Sequence, residues 1–159
     1  MNKSLRYLTQ GAIIASLYII LTWLSETMGI ASGPIQFRLS EALTILPFFT
    51  PAAVPGLFLG CLLSNLLTGL APWDVAAGSL ATLLGAAGTH LLRRYKWLAP
   101  VPPIFFNVLI IPFVLRYAYQ VPGSLFYFSF TVGVGQAVTC SVLGMLLLHA
   151  LLPRRELFG

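Results

Sequence analysis

The chain has 159 residues, of which 58% are hydrophobic and only 8% charged, with a mean hydropathy of +0.89. Soluble domains carry about 25% charged residues, so this composition excludes an ordinary soluble domain and points to a bilayer, where lipid solvates apolar faces. The net charge of +5 does not indicate nucleic acid, because the basic residues stand at the ends of apolar runs rather than in a stripe with interleaved aromatics.

A helix that crosses the hydrocarbon needs about 20 apolar residues. The first apolar run covers 8–28 and follows Lys3 and Arg6. It looks like a secretory leader, but no small-x-small cleavage site leads into a polar mature domain, so it is read as a span that stays. Gly29 to Pro34 then supply turn chemistry. The second run, 37–49, is interrupted by Arg38, Ser40 and Glu41 and is too short for an ordinary crossing. Both a tilted short helix and a re-entrant segment remain open for it. Pro47, Pro51 and Pro55 punctuate the next turn, and a third run extends over 55–70. Further runs cover 75–92 and 101–118, separated by the basic loop Arg93-Arg94-Tyr95-Lys96. The last run, 125–152, exceeds one bilayer thickness and is expected to tilt or protrude. The chain therefore reads as a single all-α domain over residues 1–159, an integral membrane bundle of six transmembrane helices with a short second one.

Charge sets the orientation. Cytoplasmic loops are enriched in Lys and Arg. Six crossings put Lys3, Arg6, Arg93, Arg94, Lys96, Arg154 and Arg155 on one side, leaving only Arg38 and Arg116 on the other. Both termini are accordingly expected in the cytoplasm, with the protein in the cell membrane.

The remaining charges then gather at the outer face: Glu26, Arg38, Glu41, Asp74 and Arg116. Charges in or near a membrane mark function or a buried pair. Arg38 and Glu41, three apart, can share a helical face. They are either a structural ion pair or a binding group, in which Glu41 accepts from a substrate N–H and Arg38 orients it or donates to a carbonyl. Asn65, Asn107 and Gln136 are polar groups inside spans, serving either interhelical hydrogen bonds or a ligand. Trp73, next to Asp74, is an interfacial aromatic that could also stack on a flat ligand. On the first span Gly11, Ala12, Ala15 and Ser16 follow small-x-x-x-small spacing, which lets another helix approach. Cys61 and Cys140 lie in apolar stretches with no metal-ligand neighbour. No zinc-protease, nucleotide-binding or serine-hydrolase motif is present, and no metal or cofactor is expected.

The stretch from Gln36 through Arg38, Ser40, Glu41, Ala42 and Thr44 to Pro47 closely resembles the signature of the QueT family of queuosine-precursor transporters. The resemblance continues through Thr50-Pro51, Pro55-Gly56, Gly60-Cys61 and Asn65. It resumes at Trp73-Asp74 and Gly78 to Leu83, with weaker echoes at Pro102-Pro103, Asn107 and Gly133 to Gln136. It implies a six-helix S component of an energy-coupling factor transporter. Such a protein captures a deazaguanine, in its cyano or aminomethyl form, and works with a transmembrane coupling subunit and two cytoplasmic ATPases. The resemblance places the coupling-subunit contact on Gly11, Ala12, Ala15 and Ser16. Gln36, Arg38, Glu41, Asn65, Trp73, Asp74, Asn107 and Gln136 are the expected substrate-binding residues. Many family members carry acids where this chain has Gln136 and Pro112-Phe113-Val114, which suggests a preference for a neutral base. The alternatives are an S component for another vitamin, an intramembrane enzyme using Glu41, and a structural assembly factor.

Overall fold

The computed structural model describes residues 2–31 and 35–158. Six helices follow one another, and all regular secondary structure among the described residues is helical. Helix one is Lys3–Thr27, helix two Leu39–Phe48, helix three Ala53–Leu67 and helix four Pro72–Leu91. Helices five and six are Lys96–Ala118 and Leu125–Leu157. Of the turn expected from Gly29 to Pro34, Ser32, Gly33 and Pro34 lie outside the described residues; Gly29 has φ +71°, the left-handed conformation that ends a helix at low cost when the residue is glycine.

Helices one, five and six are long and apolar enough to cross a membrane. The outer surface is strongly apolar, with Leu8, Ile20, Trp23, Leu67, Leu91 and Phe126 all exposed. The largest buried side chains include Tyr18, Asn65, Thr22, Thr44, Thr82, Thr89 and Thr139. A bundle that is apolar outside and partly polar inside suits a bilayer, where the expensive groups must find partners within the protein.

Helix two forms the axis of the bundle and contacts helices one, three, four and six. It is wound as a 3₁₀ helix along all ten residues, a rise of about 20 Å, short of the about 30 Å of hydrocarbon. Side chains of helix one hold its first turn. Ser25 Oγ accepts from the Leu39 N–H at 2.9 Å, and the Thr22 hydroxyl donates to Ser40 Oγ at 2.8 Å. Its other end reaches the opposite pole, where the Pro47 carbonyl meets His90 and the Phe48 ring lies under Arg155. Helix two therefore runs as one continuous segment from its contacts with helix one toward the opposite pole of the bundle.

Helices one and three approach through small residues. A methyl built on Gly56 would sit 2.7 Å from the Gly11 carbonyl oxygen, and one on Gly60 would sit 3.1 Å from Ala15 Cα. The four small residues of helix one expected to meet a partner divide into two pairs. Gly11 and Ala15 pack against the chain's own helix three, whereas Ala12 and Ser16 stay exposed. Adjacent residues on a helix point about 100° apart, so the two small pairs face different directions.

Both chain ends meet at the basic pole. Arg6 donates to the Glu156 carbonyl and Gln10 to the Leu157 carbonyl, each at 3.4 Å, while Phe158 stacks on Phe49. Arg93, Arg94 and Arg155 line one cleft there. This shared pole agrees with the grouping of basic residues expected from six crossings.

Candidate functional site

At the pole away from the arginines lies a cavity of about 410 Å³, within the range of small-molecule sites. It receives residues from all six helices and from the segments before helices two and six. Two helical irregularities border it. Helix five relaxes into a π-helical turn over Val114–Ala118, just after Pro112, which lacks the N–H an α-helix needs. Val114 and Leu115 of that turn line the cavity, as does Gln136, next to the π-helical stretch Ala137–Leu143 of helix six. Such π-turns recur at functional sites.

Glu41, in the first turn of helix two, is 2% exposed. Tyr18, fully buried on helix one, donates its hydroxyl to Glu41 Oε1 at 2.5 Å. Oε2 is buried and has no hydrogen-bond partner among the described residues, although the residue lines the cavity. Leaving a buried acceptor unsatisfied costs about 1–3 kcal/mol, more when it is charged.

Arg38 does not pair with Glu41. It precedes helix two, and its Nη1 donates to Asn65 Oδ1 at 3.4 Å. Asn65 is fully buried on helix three and points its amide nitrogen at Cys61 Sγ, 3.6 Å away. Gly78 makes room for this arrangement, since a methyl there would stand 3.1 Å from the Asn65 amide nitrogen. Asp74 accepts from the Tyr119 hydroxyl at 2.9 Å, and that hydroxyl in turn accepts from the Ala71 N–H at 3.2 Å. Burial, helped by the adjacent Asp74 carboxylate and opposed by the Ala71 N–H, pushes the Tyr119 phenol above its ordinary value. Asn107 donates to Pro103 of its own helix, leaving its carbonyl oxygen available, and Gln136 Oε1 takes the Cys140 thiol at 3.1 Å. Gln36 presses its backbone carbonyl against Gly135, where any Cβ would collide.

The cavity thus brings together Gln36, Arg38, Glu41, Asp74, Asn107 and Gln136, with Asn65 one contact behind Arg38. Trp73 is the exception. It is 74% exposed and lines a separate outer groove with Ala77, Phe113 and Tyr117. Asp74 faces the cavity, so its neighbour on the helix points away; the expected stacking role for Trp73 is not available in this arrangement. Sequence reasoning missed Tyr18 and Tyr119 as partners of the two acids. Tyr119 reads as an interfacial aromatic, and Tyr18 as one apolar residue in a helix that is apolar all round; nothing local flags either one.

A family model described as QueT transporter matches residues 8–153. The queuosine precursor transporter QueT of Lactococcus lactis subsp. cremoris (strain MG1363) is 40% identical over 99 residues, covering 60% of this chain and 57% of that relative. The chain thus matches little more than half the length of that curated relative. The family model and that relative are both described as transporters. No solved structure matches the chain significantly.

Proposed function

The chain belongs to the QueT transporter family, and from that premise we propose that it is the substrate-capturing S component of an energy-coupling factor importer for a deazaguanine precursor of queuosine. It sits in the cell membrane with both termini in the cytoplasm. A coupling subunit and two cytoplasmic ATPases drive the uptake. The apolar outer surface and the gathering of arginines at one pole support the placement. The exposed Ala12 and Ser16 are the part of the small-residue face still open to a coupling subunit.

The observation that carries the substrate reading is Glu41 Oε2, a buried acceptor in the cavity without a donor of its own. A deazaguanine offers a ring N–H beside an exocyclic amine, and the free side of the carboxylate suits such donors. With Oε1 already engaged by Tyr18, the main contact falls on Oε2 rather than on both oxygens equally. In this reading Arg38, Asn107 and Gln36, which line the same cavity, serve the carbonyl and remaining ring edges.

The cavity also bears on which precursor is taken. Glu26, Glu41 and Asp74 line it against Arg38 alone, three carboxylates against one guanidinium, a formal net charge of −2 when all are ionised. This favours the cationic aminomethyl form, contrary to the sequence expectation of a neutral base. That expectation looked for acids at two positions of helices five and six, whereas the cavity takes them from helices one, two and four. Calorimetric titration of the detergent-purified chain with the aminomethyl and cyano bases tests both points. One-to-one binding with the aminomethyl form at least about tenfold tighter, about 1.4 kcal/mol, is expected. A tighter cyano complex overturns the charge argument, and no binding of either base by folded protein removes the deazaguanine assignment.

A further inference from the structure

The basic pole holds a second cavity, of about 360 Å³, formed by the end of helix two, the loop after helix four and the C-terminal segment. Arg93, Arg94 and Arg155 line it together with Phe48, Phe49 and Phe158, and no carboxylate is among its lining residues within the described part of the chain. The three rings form a continuous apolar floor. Phe48 and Phe49 meet edge to face with centroids 5.2 Å apart, and Phe158 stacks on Phe49 at 5.1 Å. The Arg155 guanidinium is held 5.5 Å above the Phe48 ring, so one of the three cations is already oriented. Beside the cleft, Tyr95 and Trp97 are exposed, and Lys96 lies over the Trp97 ring at 5.2 Å. Exposed Trp and Tyr next to basic residues are the mark of a headgroup-level belt.

We infer that this cleft binds the headgroup of an anionic phospholipid of the leaflet at the basic pole. Arg93, Arg94 and Arg155 hold the phosphate, and the three phenylalanines receive the glycerol and first methylenes. Guanidinium groups suit the phosphate because their planar forks donate two parallel hydrogen bonds to its oxygens. A soluble anion would use the arginines but leave the apolar floor against water, whereas a phospholipid matches both. The site lies at the opposite pole from the Glu41 cavity, and the inference rests on the membrane placement proposed above, not on the substrate.

Native mass spectrometry of the detergent-purified chain with added phosphatidylglycerol or phosphatidylcholine reads the preference directly. The parent should retain phosphatidylglycerol at least about tenfold better. At about 1 kcal/mol for each arginine near the surface, the triple variant R93Q/R94Q/R155Q should lose that retention about 100-fold. The double variant K3Q/K96Q removes basic residues of the same pole from outside the cleft, where solvent and salt screen them, and should cost far less retention than the triple variant. Equal retention of the two lipids by the parent overturns the inference and leaves the arginines to an acidic partner surface. An equal loss in K3Q/K96Q also overturns it, in favour of diffuse charge. Displacement of the lipid by millimolar inorganic phosphate reassigns the cleft to a free anion. Thermal unfolding in phosphatidylcholine micelles and deazaguanine binding, both expected to persist in the triple variant, separate a lost lipid site from a lost fold or a wrong substrate.

Discussion

Replacing Glu41 by Gln tests the cavity chemistry most sharply, because Tyr18 dictates what the new amide can do. In the parent the Tyr18 hydroxyl donates to Oε1 while Oε2 stays without a donor. In Glu41→Gln, Tyr18 continues to donate to the only oxygen left. That choice turns the amide NH₂ toward the cavity, so a ligand N–H meets a donor instead of an acceptor. Hydrogen bonds to charged groups contribute about 1.5–3 kcal/mol, which corresponds to a loss of affinity of roughly 10- to 150-fold. The double variant Tyr18→Phe with Glu41→Gln frees the amide to flip and present its oxygen to the ligand. It should bind more tightly than Glu41→Gln alone by a neutral hydrogen bond, about 0.5–1.5 kcal/mol, although both changes remove polar groups. The assay is calorimetry with the aminomethyl base on protein shown to be folded by thermal unfolding. Parent-like affinity in Glu41→Gln, or simple additivity of the two changes, would refute the assigned roles of Oε1 and Oε2.

Three further outcomes are expected. Trp73→Ala should leave affinity within about threefold of the parent, measured in the same titration, because the ring lines a different groove. Gly56→Val should destabilise the fold by about 1–3 kcal/mol, read as a lowered unfolding midpoint, since even its Cβ would stand 2.7 Å from the Gly11 carbonyl oxygen. Tyr119→Phe removes the hydroxyl that joins Asp74 to the Ala71 backbone and should speed ligand release about fivefold or more, about 1 kcal/mol, in stopped-flow displacement. The Tyr119 phenol lies above its ordinary value, so its neutral form is favoured in the fold. This contact should therefore persist through pH 9 and fade only as pH rises through the raised value, and an earlier loss of the slow release phase would count against it.

The number and order of the helices were legible in the sequence because apolar runs and Gly/Pro breaks report them directly. Helix boundaries shifted by only a few residues. The basic loop and both termini share a pole, as the distribution of Lys and Arg required. The carboxylates were legible too, since an acid in so apolar a chain is conspicuous. Their partners were not. Tyr18 and Glu41 are 23 positions apart and Tyr119 and Asp74 are 45 apart, and such pairings depend on how helices rotate about their axes. Trp73 shows the same limit from the other side, because a neighbour in sequence was taken for a neighbour in space. Arg38 and Glu41 both line the cavity, but their i, i+3 spacing could not show that Arg38 precedes the helix and turns to Asn65. The Gly56 and Gly60 pair carried a usable signal, glycines four apart, that would have assigned Gly11 and Ala15 to an in-chain contact.

Helix two has a consequence for how a solute can leave. Below Glu41 it continues as Leu43, Thr44, Ile45 and Leu46, all buried, and these pack with Phe49, Leu147, Leu151 and Phe158 toward the basic pole. The interior beneath the cavity is therefore solid. The molecule has the form of a cup with a plugged base, not of a tube, and a closely packed base does not yield by small adjustments of side chains. A cup is filled and emptied at its rim, so the open pole is the route into and out of the cavity.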